Sequence, residues 1–279
     1  MLLFVPFEFY GNNNNSRLKG EIGYYQYFYN YHGIGSETSK NDLENYSVNF
    51  PRIEANYSKK IYSKFYLGAG FNFDYFDITE TESNGLLETE KPVGYQGGTK
   101  ANFVALAFFD NRDTLFAPNS GQYLEVKFQH SMPQWISDFV YSRIDLDYRI
   151  YTKLYKKTIL ASNLYWSKTS SQTPFFDLPY ISTPNRARGY DDRRFINPEI
   201  ANLQTEARFP IYKRFSGASF VSATAIPEKS FAFFEETPEF SYGLGIRYEL
   251  RKDSKARLRL DFAKSRDSFN FYFTVNEAF

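Results

Sequence analysis

Residues 182–195 carry Arg186, Arg188, Arg193 and Arg194, with Asp191 and Asp192, around a single glycine, Gly189. Guanidinium groups are permanently charged and present planar forks of donors, so this segment is suited to ion pairing and anion binding rather than to proton transfer. Catalytic chemistry finds little support elsewhere. The two histidines, His32 and His130, are far apart in sequence. No metal-ligand spacing, nucleophile elbow or glycine-rich phosphate loop is present. Cysteine is absent, which excludes disulfides and thiolate chemistry. A net charge of +1 gives no electrostatic reason to expect nucleic acid. The chain is read as non-enzymatic, without a cofactor or a metal.

What must hold such a segment is a set of strands. It lies between two strand-like runs, 158–169 and 199–212, in a connection of more than two dozen residues. Loops that long inside a compact fold are usually functional. Aromatic residues make up 20% of the chain, with 24 Tyr and 30 Phe. A soluble core has little use for so many tyrosines, because each buried hydroxyl needs a partner, whereas the interfacial girdles of a membrane barrel use them freely. Mean hydropathy is −0.52 and no run could form a membrane-spanning helix. A barrel strand alternates, however, so its polar half offsets its apolar half.

The alternation is clearest where Val140, Ile144, Leu146, Tyr148 and Ile150 face one way and Arg143, Asp145, Asp147 and Arg149 the other. Four charges at period two cannot all enter a dry core, but they can line a watery lumen. A soluble sandwich or lipocalin-like barrel would instead turn them outward. The membrane reading is favoured because charged residues recur in this way on nearly every strand. The predicted fold is all-β: a transmembrane antiparallel barrel of about 12 strands, with 14 or 16 as alternatives. Residues 1–15 form a lead-in segment, since Pro6 interrupts the run 2–10 and an even strand count excludes it. Residues 16–279 form the barrel, with 170–197 as a long extracellular loop folded into the lumen. A β-bulge is predicted at Pro51, where the apolar parity changes from Tyr46, Val48 and Phe50 to Ile53, Ala55 and Tyr57. Tight turns at 58–62, 111–121, 154–157, 212–214 and 251–255 are predicted on the periplasmic side. An aromatic loop runs through 231–234, and the last strand, 268–279, places Phe269, Phe271, Phe273, Val275 and Phe279 on one face.

Several segments together resemble the BamA/TamA-type outer-membrane assembly barrels of the bacterial surface antigen superfamily, here without their periplasmic POTRA modules. Arg188-Gly189-Tyr190 is similar to the family's Arg-Gly-Phe/Tyr loop tip. Asp110, Arg112, Asp113, Pro118, Gly121 and Tyr123 stand as in its Asp-x-Arg-Asp…Pro-x-x-Gly-x-Tyr strand-turn-strand. Thr205-Glu-Ala-Arg-Phe-Pro-Ile211 and Arg257-Leu-Arg-Leu-Asp-Phe-Ala263 resemble two further family strands. The match covers roughly residues 101–279. The family's usual strand number is sixteen, and its loop arginine pairs with an aspartate on a strand where this chain has Ser222.

The resemblance implies a bacterial outer-membrane barrel that inserts or translocates proteins. Its partners would be outer-membrane lipids, lipopolysaccharide and unfolded or translocated protein, and it would act as a monomer or small homo-oligomer. The alternative is a non-catalytic anchor or pore, such as the membrane half of a patatin-like phospholipase. An inserting barrel expects a weakly paired seam between its first strand (16–29) and its last, whereas an anchor expects a zipped one. With Ser222 in the aspartate's place, the expected partners of Arg188 are Glu206 and Asp261, whose inward parity follows from alternation alone. Phe279 resembles the terminal sorting aromatic of outer-membrane barrels.

Overall fold

The computed structural model describes residues 1–11, 13, 15–250 and 256–279. They form one antiparallel sheet of thirteen strands in sequence order. The strands are β1 (Leu2–Gly11), β2 (Ser16–Tyr31), β3 (Glu44–Tyr62), β4 (Phe65–Glu80), β5 (Gly98–Asp110), β6 (Gly121–Ser131) and β7 (Ser142–Lys153). They continue as β8 (Ile159–Thr169), β9 (Glu199–Tyr212), β10 (Phe215–Ala225), β11 (Glu239–Glu249), β12 (Arg257–Ser265) and β13 (Phe269–Val275). One end carries short connections, the other long ones, including the arginine loop between β8 and β9. The predicted turn at 251–255 lies outside the described residues.

The period-two alternation decides which way each residue points. On β9, Leu203 and Phe209 are exposed on the outer face while Asn202, Gln204, Glu206 and Arg208 are buried inside. On β7 the four inward charges pair within the strand, Arg143 with Asp145 at 2.9 Å and Arg149 with Asp147 at 2.5 Å. The interior has two halves. Toward the long loops it is dry and aromatic: Tyr46, Val48, Phe50, Phe76 and Tyr141 pack on Phe175, Phe176 and Ile196 of the arginine loop. Toward the short turns lies a vestibule of about 850 Å³, lined in part by Arg17, Lys19, Glu54, Lys127 and Arg149.

Four expectations are corrected. Residues 2–11 are not a lead-in but a strand, paired with β2 through Pro6 opposite Glu21. Proline is tolerated there because β1 is an edge strand and needs no donor on its free side. The described strands therefore number thirteen, in keeping with the expected twelve or so. Pro51 makes no bulge, since β3 keeps one register with β4 from Asn49↔Asp77 to Arg52↔Asp74. The apparent change of parity is a change of surroundings: inward residues are apolar where they meet the loop and polar where they meet the vestibule. The β3–β4 turn falls after Tyr62 rather than at residue 58, with Ser63 at φ 46°.

The fourth correction concerns the seam. β2 is hydrogen-bonded to β1 on one side and β3 on the other, so it has no edge left for the last strand. The edges of the sheet are β1 and β13, and they are not hydrogen-bonded to each other. The loops above the gap do meet. Lys40 Nζ, from the β2–β3 loop, donates to the Asp267 carbonyl at 2.6 Å. The barrel is thus rolled up but unzipped along one line. Amide hydrogen exchange in detergent should find β1 and β13 far less protected than β8 and β9. Equal protection across all these strands would show that the seam is closed.

Candidate functional site

The loop 170–198 descends into the interior and brings Arg188 between two walls. Its Nη2 lies 2.8 Å from Glu206 Oε2 on β9 and its Nη1 2.5 Å from Asp261 Oδ2 on β12. The guanidinium also stacks 3.5 Å from the ring centroid of Phe220 on β10. Arg188 is 1% exposed and both carboxylates are fully buried. The tip turns at Gly189, whose φ of +113° suits glycine, and a Cβ there would lie 2.9 Å from the Lys264 backbone. Strand side chains hold the tip. Tyr272 Oη accepts from Gly189 N–H at 2.9 Å, and the Gly189 carbonyl accepts from Ser265 Oγ (2.9 Å) and Ser268 Oγ (2.8 Å). Tyr190 Oη donates to Glu239 Oε2 at 2.7 Å, with its ring against Phe195.

Arg188 belongs to a larger network. Arg247 on β11 reaches Glu206 (3.2 Å), Asp261 and Glu277 (2.9 Å). Arg208 pairs with Glu206 at 2.8 Å, Arg257 with Glu277 at 2.8 Å, and Arg259 lies 3.5 Å from Asp261. Gly245 makes room for this: a Cβ there would collide with Asp261 Oδ1 and Arg247 Nη1. Five arginines thus share three carboxylates. Arg208, Arg247 and Arg259 could have been found by the inward parity that located Glu206 and Asp261. Glu277 could not, because it depends on a break in alternation. Asn276 at φ 69° ends β13 after Val275 and turns the tail inward. Phe279 is therefore not on the outer face with Phe269, Phe271 and Phe273. It is buried against Tyr151, Ile159 and Ala161, and its carbonyl accepts from Arg208 Nη2 at 3.1 Å.

Ser222 is buried and accepts from Asn202 Nδ2 at 2.8 Å. The other loop arginines divide the remaining contacts. Arg186 stacks 3.5 Å over Tyr165, and Arg193 lies over Tyr29 and Tyr180. Arg194 clasps Asp267 (2.8 Å) and the Thr38 carbonyl (2.7 Å), which ties the loop to both sides of the seam. At the upper end of the loop, Asp177 meets Lys100 (3.0 Å) and Tyr141 Oη (2.6 Å). Burial pushes the Asp177 carboxyl up, but Lys100 and Arg143 outweigh it and hold it at about 2.

The strand-turn motif lies apart from the loop, at the vestibule. Arg112 forks onto Asp110 (2.9 and 2.7 Å) and stacks 4.5 Å from the Tyr123 ring centroid. Asp113 Oδ1 accepts from the N–H groups of Asn119 and Ser120, just after buried Pro118, and Gly121 opens β6. The motif fixes a turn and shares no contact with Arg188.

The geometry defines a class: a membrane-spanning β-barrel with an exposed apolar outer face, a charged interior, a plugged lumen and an unzipped seam. Residues 6–279 match the Omp85 superfamily domain, and the chain belongs to that superfamily of outer-membrane barrels. Among solved structures it is similar to BamA from Haemophilus ducreyi lacking POTRA domains 1–3 (15% identity, TM-score 0.68), covering 99% of this chain and 62% of that one. It is also similar to CdiB from Acinetobacter baumannii (13% identity, TM-score 0.65), covering 99% of this chain and 50% of that one. The chain thus spans under two thirds of each of these structures. No curated protein matches it in sequence.

Two predictions follow from the charge balance. Arg188→Ala leaves Glu206 with Arg208 and Arg247, and Asp261 with Arg247, so no carboxylate is orphaned. The cost should be ~1.5–3 kcal/mol, the range for charged hydrogen bonds. Glu206→Ala leaves three guanidiniums short of an acceptor and should cost ~3–5 kcal/mol, as for a broken buried pair. Thermal or urea unfolding in detergent would check the order, and an equal or reversed order would refute the shared network. For Asp177 the folded pKa lies below the ordinary carboxylate value of about 3.9. Its stabilising contribution is present above that value and lost as pH falls towards 2. Protease access to the loop should rise across that window, and Asp177→Asn should remove the part of the rise that depends on this group.

Proposed function

We propose that this chain is the membrane barrel of a protein-inserting or protein-exporting outer-membrane machine, with the Arg188-Gly189-Tyr190 loop as its internal plug. The observation that carries this reading is the unpaired seam. β1 and β13 each offer an edge row of backbone donors and acceptors at membrane depth, where each unsatisfied group costs on the order of several kcal/mol. An incoming strand can satisfy them by β-augmentation. An anchor or pore has no such need and is better served by a zipped wall. The family membership and the two structural likenesses support the same reading. Lipids of the outer membrane and unfolded or translocated protein are the expected partners.

The test is photocrosslinking in liposomes. A photoreactive residue at Phe4 of β1 or Phe271 of β13 should capture a segment of an unfolded outer-membrane protein, while one at Leu164 of β8 should not. Absence of seam-specific adducts, together with no acceleration of client folding, would contradict the proposal and favour the anchor.

A further inference from the structure

The loop 32–43, between β2 and β3, lies across the open seam as a strap. Ile34 bridges to Ile196, and Gly35 N–H donates to the Ile196 carbonyl at 2.9 Å. Arg194 donates to Thr38 Oγ1 (2.9 Å) and to the Thr38 carbonyl (2.7 Å), and Lys40 Nζ donates to the Asp267 carbonyl at 2.6 Å. The strap leaves β2 at His32 and turns at Gly33, whose φ of +88° favours glycine. His32 is 3% exposed, and among the described residues neither of its ring nitrogens has a hydrogen-bonding partner. Burying a polar group without a partner is unfavourable. Packing alone therefore does not account for a histidine here, since an apolar ring would fill the position at lower cost.

The charged groups around His32 are already engaged. The arginine loop brings Asp191 and Arg194, the β12–β13 turn brings Asp267, and the strap itself brings Lys40. Lys40 lies 3.8 Å from Asp191, and Arg194 lies 2.8 Å from Asp267, which Arg266 also approaches at 3.5 Å. Glu90, near Gly33 on the β4–β5 connection, accepts from Tyr31 Oη at 2.6 Å. A second proton on the ring would make a cation whose N–H groups are both hidden from water. It would have to compete with Arg194 and Lys40 for these acids. We propose that His32 is a proton-operated release for the strap, which on acidification lifts from Arg194 and Asp267 and opens the seam at its long-loop end. Burial, and then Arg194, lower the pKa of His32 in the closed state and outweigh the opposing pull of Asp191 and Asp267. In a lifted strap the ring takes its proton near the ordinary value of about 6.5. The closed state is therefore favoured above that pH and loses stability as pH falls below it. The proposal does not depend on what the barrel inserts.

The chain has no cysteine, so Asn41→Cys on the strap and Phe269→Cys on β13, both exposed, can carry a nitroxide pair. Pulsed electron paramagnetic resonance in detergent should give one narrow distance at about pH 7.5. A longer-distance population should grow as the pH falls to about 5.5, a window in which ordinary carboxylates stay charged. The change should reverse on return to neutral pH. In the same labelled chain His32→Phe loses no hydrogen bond and cannot take a proton, so it should keep the narrow distance throughout. His32→Gln serves if that variant fails to fold. A parent whose distance does not change with pH would overturn the proposal, as would a variant lacking the imidazole that opens on acidification as the parent does.

Discussion

Charges removed from water must be paired, and most of this structure can be read from that constraint. Inside the barrel, Glu206, Asp261 and Glu277 are almost completely hidden, and each is met by at least two arginines. Those arginines come from the loop (Arg188), from β9 (Arg208), from β11 (Arg247) and from β12 (Arg257). No single element could satisfy the acids alone. The network therefore couples the plug, three wall strands and the turned-in tail, and moving any of them uncovers charge elsewhere. Such ionic cores add little net stability compared with apolar packing, but removing one partner leaves buried charge uncompensated.

The same constraint explains the division of the interior. Toward the long loops the plug excludes water, so the walls there present rings to Phe175 and Phe176 instead of charges. Toward the short turns the lumen is wet, and charged residues line it at little cost. The plug is thus held at three levels: aromatic packing with the Asp177–Lys100 pair above, the Arg188 network at depth, and Arg194 bridging the seam. The seam itself is left without backbone pairing, and loop contacts such as Lys40 to Asp267 span it from above.

The fold was legible in the sequence where alternation was unbroken. The inward parity of β7, β9, β11 and β12 located Glu206 and Asp261 beside Arg188, because period two leaves only two choices. What was illegible came from departures from that period or from topology. Pro6 argued against a strand, yet an edge strand tolerates it, and whether a strand is an edge depends on the whole sheet. The change at Pro51 read as a bulge because an apolar inward face looks like an outward one until the plug is known to lie against it. Phe279 was placed outward by continuing the alternation of β13 past Asn276, where one left-handed residue ends it.

If the Arg188-centred network holds the loop inside the barrel, single-channel conductance in planar bilayers will report it. The wild-type chain should conduct poorly, with rare openings, and Arg188→Ala and Glu206→Ala should each open a persistent larger pore, Glu206→Ala the more so. A wild-type conductance as large as that of both variants would mean that the loop does not occupy the lumen, and would contradict the account.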